Sequence, residues 1–402
     1  MNQVKSDSQA LAFPPAARLS VLPSYIFARL DELKANAVRS GSELIDLGLG
    51  NPDGATPEAV IEALSRSLVD VRTHGYPPFA GRTDFKEAIA AFMFRRYGVK
   101  LDPAHEVLPL IGSKEGLAHL ALAYVDHKDL CLVPNPCYPV HCRGPLLAGG
   151  VVHPIPLKAE TNFLPDFEAI PIAVAAQSKL LILNYPNNPT AAMGTDWVME
   201  KAIALCRENG ILLVHDLAYG ELYFGKRRPR SLLEFPGAKE VGVEFHTLSK
   251  TFNMAGWRVG FVAGNHHVIR TLYSLKTNID YGVFAAIQLA GVAALELPDS
   301  EIQEIRDTYR QRRDLIVSGL KAMGWPVTVP EATMYIWLEI PRSLGMTSAE
   351  FAEALLSKTG VIVTPGVAFG SNGERFIRIS MVAPHERLQE ALDRWKSSGL
   401  TP

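Results

Sequence analysis

Short apolar runs that stop abruptly on polar or turn-forming residues recur along the first two thirds of the chain. The run 180–183 ends at Asn184, and the run 211–214 closes on His215 and Asp216. Runs of this kind fit strands buried on both faces of a parallel sheet, where no alternation is needed because neither face meets water. Strands are predicted to end near Gly112, Pro134, Asn184, Asp216 and Ser249, and apolar residues return at helical spacing over 115–125 and 197–208. That βα alternation predicts an α/β fold with a mostly parallel sheet. Candidate chemistry should then gather just after the strands, where open α/β sheets bind ligands.

Beyond about residue 296 the pattern changes to a long charged helix, EIQEIRDTYRQRRDLIVSGLKAMG, followed by a compact α+β stretch with VIVTPGVAFG and RFIRISM. At 402 residues the chain exceeds the usual size of one core. The expected division is an N-terminal arm over 1–20, a small domain made of 21–46 with 297–402, and a large domain over 47–296. No fixed-period repeat or low-complexity tract interrupts it.

Four segments after apolar runs carry candidate chemistry. In TLSKTFNMAGWRVG, Lys250 stands between hydroxyls and eight positions before Arg258. A lysine amine can form a Schiff base with a carbonyl cofactor, and Thr247, Ser249 and Arg258 can hold a phosphate dianion. Pyridoxal 5′-phosphate (PLP) has both groups. Asp216, closing its strand, would pair with a protonated pyridine nitrogen, although an Asp after a strand is more often a helix cap. Tyr219 and Asn188 would reach the ring's 3-oxygen, the latter from the turn YPNNPT. In VLPLIGSKEG a strand passes into a helix through Gly112, so Ser113 and Lys114 are candidate phosphate ligands, with a plain Ser113 cap as the bland alternative.

Taken in order, GSKEG, NPCYP, YPNNPT, HDLAY, TLSK, GWRVG and RISM resemble the class I/II aminotransferases of PLP fold type I over nearly the whole chain. The resemblance implies a large domain whose seven-stranded-type sheet lies between helices, plus a smaller α+β domain. Within that family LPSYIF, GNPDGATP and HGYPPFAG are most similar to the alanine (glutamate–pyruvate) and LL-diaminopimelate group. One departure is Ala191, where many relatives carry Gly. The implied roles are Lys250 as cofactor lysine and proton shuttle, Asp216, Tyr219 and Asn188 tuning the ring, and Tyr138 stacked on it. Ser113, Lys114, Thr247, Ser249 and Arg258 would hold the phosphate, with Tyr76 arriving from the other subunit of a homodimer with shared sites. Arg378 would bind the substrate α-carboxylate near a Gly50 backbone group, and Tyr25 would help close the site.

The activity implied is amino transfer between an L-amino acid and a 2-oxo acid, read first as alanine/pyruvate with glutamate/2-oxoglutarate. LL-diaminopimelate or another amino acid is the alternative, with a PLP-dependent β-lyase or a non-catalytic PLP-fold protein behind it. Gly48, Gly50 and Gly54 in DLGLGNPDG are misspaced for a dinucleotide fingerprint, and Pro52 interrupts the helix start.

Charge and composition narrow the partners. With 40 basic and 42 acidic residues, a formal net charge of -2 gives no field to draw nucleic acid. No run approaches the ~18 apolar residues of a membrane span, and MNQVKSDSQALAFPP lacks a signal-peptide layout, so a cytoplasmic place is expected. Cys131, Cys137, Cys142 and Cys206 read as free thiols. Cys137, His141 and Cys142 lie close together but lack the second ligand pair that a metal would want, so none is expected.

Overall fold

The computed structural model describes residues 13, 15–22, 28–39, 41 and 43–402. In chain order its strands are β1 (Ile45–Asp46), β2 (Val107–Leu110), β3 (Leu130–Asn135), β4 (Val151–Pro156), β5 (Ser178–Leu183), β6 (Leu212–Asp216), β7 (Gly242–Thr247), β8 (Gly260–Gly264), β9 (Tyr335–Glu339), β10 (Val361–Ile362), β11 (Thr364–Pro365) and β12 (Phe376–Ser380). Seven of them form one sheet in the order β2-β8-β7-β6-β5-β3-β4. β8 runs antiparallel to both neighbours, and every other pair is parallel. Parallel neighbours need a crossover connection, whereas β7 returns directly into β8. That direct return carries Lys250 and Arg258 along the edge where β7 ends and β8 begins.

The central strands are mostly apolar because helices cover both sheet faces, and the buried Glu244 within them is paired with His215 and His246. Leu181, Leu183, Leu213, Val214, Val243 and Phe245 are fully buried, each aliphatic one contributing about 1.5–3 kcal/mol. Helix Asp196–Asn209 starts where the Thr195 side chain accepts from Val198 N and stops at Gly210. It buries Val198, Met199, Ala202, Ile203 and Cys206, one stripe at helical spacing. On the other face helix Ser113–Tyr124 buries Gly116, Leu117, Leu120 and Ala121 and packs on β7 and β8.

The strand ends differ in detail from those the pattern predicts. β7 stops at Thr247, whose hydroxyl caps the one-turn helix Leu248–Thr251, so Ser249 lies in that helix. Ser113 is not a cap; Gly112 holds that position and Ser113 opens the helix. β4 and β8 were not among the predicted strands. The prolines of VVHPIP and the terminal glycines of GFVAG read as turn signals, but β4 is an edge strand, where a missing N–H costs no ladder bond.

The second core belongs to the C-terminal stretch. β9 and β11 flank β12 antiparallel, and β1 pairs parallel with β10. Ile336, Leu338, Phe351, Leu355, Ile377 and Trp395 pack there with Ile45 and Leu47. Tyr219 and Leu222, from the loop after β6, join the same cluster. Ile302, in helix Asp299–Ala322, packs instead with Val60, Phe85 and Ile89. The loop carrying Tyr219 is therefore wedged against the strands carrying Arg378.

Candidate active site

Lys250 sits in the one-turn helix after β7 and points across the cleft, where its Nζ donates to Gly50 O at 2.5 Å. Its amine is held down at about 8 from the usual 10.5, chiefly by burial and further by the positive charges of Arg378 and Arg258. The folded state thus disfavours the ammonium form, and the amine is largely neutral above about pH 8. In cofactor-free protein, acylation of Lys250 followed by peptide mass mapping should accelerate about tenfold per pH unit up to about 8 and then level off. A rate still climbing toward pH 10 would contradict this.

Asp216 closes β6 with its carboxylate buried. Asp216 Oδ2 accepts from His141 Nε2 at 2.9 Å, while Oδ1 is buried and without a hydrogen-bond partner. The backbone at this point is fixed by Asn184, whose Nδ2 donates to Asp216 O at 2.7 Å and whose Oδ1 accepts from Asn188 N at 2.8 Å. Asn184 thereby ties the end of β5 to the end of β6 and sets the turn that carries Asn188. Ala191 in that turn holds a φ of 58°, left-handed backbone that glycine enters more easily. The turn thus holds Ala191 in a conformation that would suit a glycine.

Ser113, Lys114, Thr247, Ser249 and Arg258 line a cavity of about 440 Å³ together with Lys250, Tyr138, Asn188, Asp216 and Tyr219. Gly112, at φ 82°, brings the chain so close to the Arg258 guanidinium that a Cβ there would overlap it. Among the described residues no carboxylate lies in ion-pair range of Lys114 or Arg258. Two cations and the start of helix Ser113–Tyr124 thus face one another with no protein anion between them, which is an anion cradle. Tyr138 caps helix Pro139–Leu147, and burial pushes its phenol up to about 12.

Arg378, on β12, adjoins this cavity through Asn188, one of the residues that line it. It is 7% exposed, donates from Nη1 to Asn188 Oδ1 at 2.9 Å and from Nη2 to Gly48 O at 2.7 Å, and leaves Nε buried without a partner. Among the described residues it has no carboxylate. A buried guanidinium facing only neutral acceptors favours an incoming anion strongly. Lys250 Nζ occupies the Gly50 backbone oxygen, and Gly48, two residues earlier, supplies the carbonyl that accepts from Arg378.

Tyr76, expected from the other subunit, does not line its own chain's cavity. Tyr76 is 81% exposed and stacks on Tyr281, ring centroids 4.3 Å apart, away from its own chain's Lys250 cavity. Tyr25 lies outside the described residues.

A family model described as aminotransferase class I and II matches residues 42–394. The chain belongs to that family. LL-diaminopimelate aminotransferase of Desulforudis audaxviator is 47% identical over 384 residues, covering 96% of this chain and 97% of that protein. The Aquifex aeolicus enzyme of the same name is 45% identical over 380 residues, covering 94% and 98%. Among solved structures, substrate-bound BacF from Bacillus subtilis superposes with a TM-score of 0.91 at 40% identity, covering 96% and 97%. An aspartate aminotransferase double mutant from Thermus thermophilus gives 0.90 at 29%, covering 96% and 100%. The protein is therefore a PLP-dependent transaminase acting on amino acids and 2-oxo acids.

The residues of this aminotransferase fit the cofactor. Asp216 Oδ1 is an orphaned acceptor on the cavity wall, the cradle at Arg258 is anion-shaped, and the Lys250 amine has a depressed pKa. Sequence reasoning missed His141 in this role and Tyr335 altogether. His141 had been weighed only as a possible metal ligand; its place three residues after Tyr138, at a helix start, was the available signal. Among the described residues one set of possible metal ligands gathers elsewhere, Glu115, His119 and Asp280. Lys276 Nζ already sits there, 2.7 Å from Glu115 Oε1 and 2.9 Å from Asp280 Oδ2, supplying the positive charge a metal would bring. No helix of the described residues is long and apolar enough to cross a membrane.

Proposed function

We propose that this transaminase moves an amino group between LL-diaminopimelate and 2-oxoglutarate, with Lys250, Asp216 and Arg378 as its principal groups. The observation that carries the chemistry is the buried Arg378, unpaired by any carboxylate of the described residues and tied through Asn188 to the cavity that Lys250 lines. The substrate choice is supported by the relatives, whose names put LL-diaminopimelate ahead of the alanine/pyruvate pair that the motifs suggested first.

In this reading Ser113, Lys114, Thr247, Ser249 and Arg258 hold the PLP phosphate, Tyr138 lies against the ring, and Asn188 and Tyr219 meet its 3-oxygen. When bound, PLP supplies the carbonyl that exchanges amine for oxygen and a ring that accepts the electron pair left at Cα. Asp216 Oδ1 would hold the proton on the ring nitrogen, with His141 fixing the carboxylate's orientation. Arg378 grips the α-carboxylate and so sets Cα beside Lys250. Lys250 Nζ would take the Cα proton and deliver it to the cofactor's C4′, a transfer its lowered pKa suits near neutral pH.

Assaying LL-diaminopimelate, alanine and glutamate as donors against 2-oxoglutarate and pyruvate tests the substrate. We expect kcat/KM for LL-diaminopimelate with 2-oxoglutarate to exceed that of alanine by about tenfold or more, some 1.4 kcal/mol of transition-state discrimination. Alanine with pyruvate as the preferred pair would reverse the assignment.

Arg378→Lys should lower kcat/KM about a hundredfold or more, roughly 3 kcal/mol, for every α-amino acid donor, because an ammonium cannot reproduce the two-point grip. A loss seen with glutamate and LL-diaminopimelate but not alanine would move Arg378 to the distal carboxylate.

We infer a division into a large domain over 47–296 and a smaller one made of 21–46 with 297–402, whose β12 carries Arg378. The four cysteines are free thiols, in keeping with a reducing cytoplasm. The exposed Tyr76, stacked on Tyr281, supports a homodimer in which the HGYPPFAG segment completes the neighbour's phosphate site. Sedimentation should find a dimer at assay concentration, and Tyr76→Ala should weaken PLP retention about tenfold by loss of one hydrogen bond to a charged group. An active monomer would overturn this part.

A further inference from the structure

Four side chains from distant parts of the chain close into a ring beside Lys250. Arg378 Nη1 donates to Asn188 Oδ1 at 2.9 Å, and Asn188 Nδ2 donates to the Tyr219 hydroxyl at 3.3 Å. That hydroxyl lies 3.0 Å from the hydroxyl of Tyr335, whose ring lies 4.2 Å from the Arg378 guanidinium carbon. Tyr335 is the member with no part in the reading so far. It is 2% exposed, stands on β9 opposite Ser380 of β12, and brings its hydroxyl so near Gly50 that a Cβ there would overlap it. Tyr138 and Tyr309 are its other phenolic neighbours.

Counting protons shows what Tyr335 can decide. The Tyr219 oxygen already accepts from Asn188, and a phenol has a single proton. If Tyr219 donates to Tyr335, that proton is consumed inside the ring and none is offered to the cavity. If Tyr335 donates, Tyr219 accepts twice and its proton is free to point at a bound ligand. A guanidinium on the face of the Tyr335 ring draws charge toward itself, which makes the Tyr335 hydroxyl the better donor of the two. Burial, with Tyr335 as the next cause, pushes the Tyr219 phenol well up, so Tyr219 keeps its proton.

We propose that Tyr335 is a positioning residue for the transamination: its hydroxyl donates to Tyr219 and reserves the Tyr219 proton for the cofactor's 3-oxygen, while its ring holds the plane of Arg378. This rests on the reading that Tyr219 faces that oxygen.

The test compares the wild type with Tyr335→Phe, Tyr219→Phe and the double variant, each loaded with PLP, by the pH midpoint of the bound cofactor's visible absorption. A donor to an anionic oxygen favours the charged form, so losing it raises the midpoint. Tyr219→Phe should raise it by about one unit and Tyr335→Phe by about half a unit, with the double variant no higher than Tyr219→Phe alone. Tyr335→Phe keeps the ring over Arg378, so KM should stay within about twofold, whereas Tyr335→Leu should give the same midpoint shift with KM raised about tenfold for every donor. A midpoint moved by Tyr219→Phe but by neither Tyr335 variant overturns the proposal alone. Additive shifts in the double variant overturn it as well. A midpoint unmoved by Tyr219→Phe removes the reading of Tyr219 and the proposal with it.

Discussion

Lys250→Ala should bind PLP through the phosphate cradle alone and turn over amino donors slower than wild type by roughly 10⁴-fold or more, since covalent attachment and the proton shuttle are lost together. The size follows from the geometry. Of the two lysines that line the cavity, Lys250 reaches Gly50 O with its Nζ, while Lys114 Nζ lies over the Tyr138 ring. A second amine cannot substitute without crossing the cavity. Single-turnover mixing with alanine and with LL-diaminopimelate measures the loss. A variant within about tenfold of wild type would remove Lys250 from the chemistry and leave it a buried lysine whose only shown partner is Gly50.

Asp216→Asn should keep the fold and the cofactor yet slow the Cα proton step by roughly 10²–10³-fold, about 3–4 kcal/mol. The substitution preserves shape, and an amide oxygen can still accept from His141. What disappears is the anion on the cavity wall, the group that makes a positively charged ring nitrogen favourable. Retained visible absorbance and an unchanged melting temperature establish that the site is intact, and the single-turnover rate then isolates the charge. Unchanged rates would contradict the role and recast the orphaned Oδ1 as a structural acceptor.

How much of this was legible before the fold was known depends on how far apart the partners lie in sequence. Lys250, Ser249, Thr247 and Arg258 share one short connection, so their common purpose could be read along the chain. Asp216 and Tyr219 share another, at the end of an apolar run. The βα alternation likewise announced a mostly parallel sheet, because strands buried on both faces leave continuous apolar runs. The antiparallel β8 was not visible, since its direction depends on the length of the return from β7 rather than on its residues.

Tyr335 had no sequence signal of its own. In YIWLE it reads as one core aromatic among others, and its partner Tyr219 is 116 positions away. Gly48 meets Arg378 across 330 positions, so its carbonyl contact had no local signal either. Such contacts are set by β9 pairing with β12 and by the Tyr219 loop packing into the same core. Tyr76 poses a different problem, because its proposed partner is on a second chain.

The most direct measurement of the central claim is borohydride reduction of the PLP-loaded protein followed by peptide mass mapping. We predict the reduced cofactor on the peptide containing Lys250, and its release from that peptide when LL-diaminopimelate is added before reduction. Cofactor found on Lys114 or another lysine, or retained on Lys250 in the presence of every amino donor, would contradict the account.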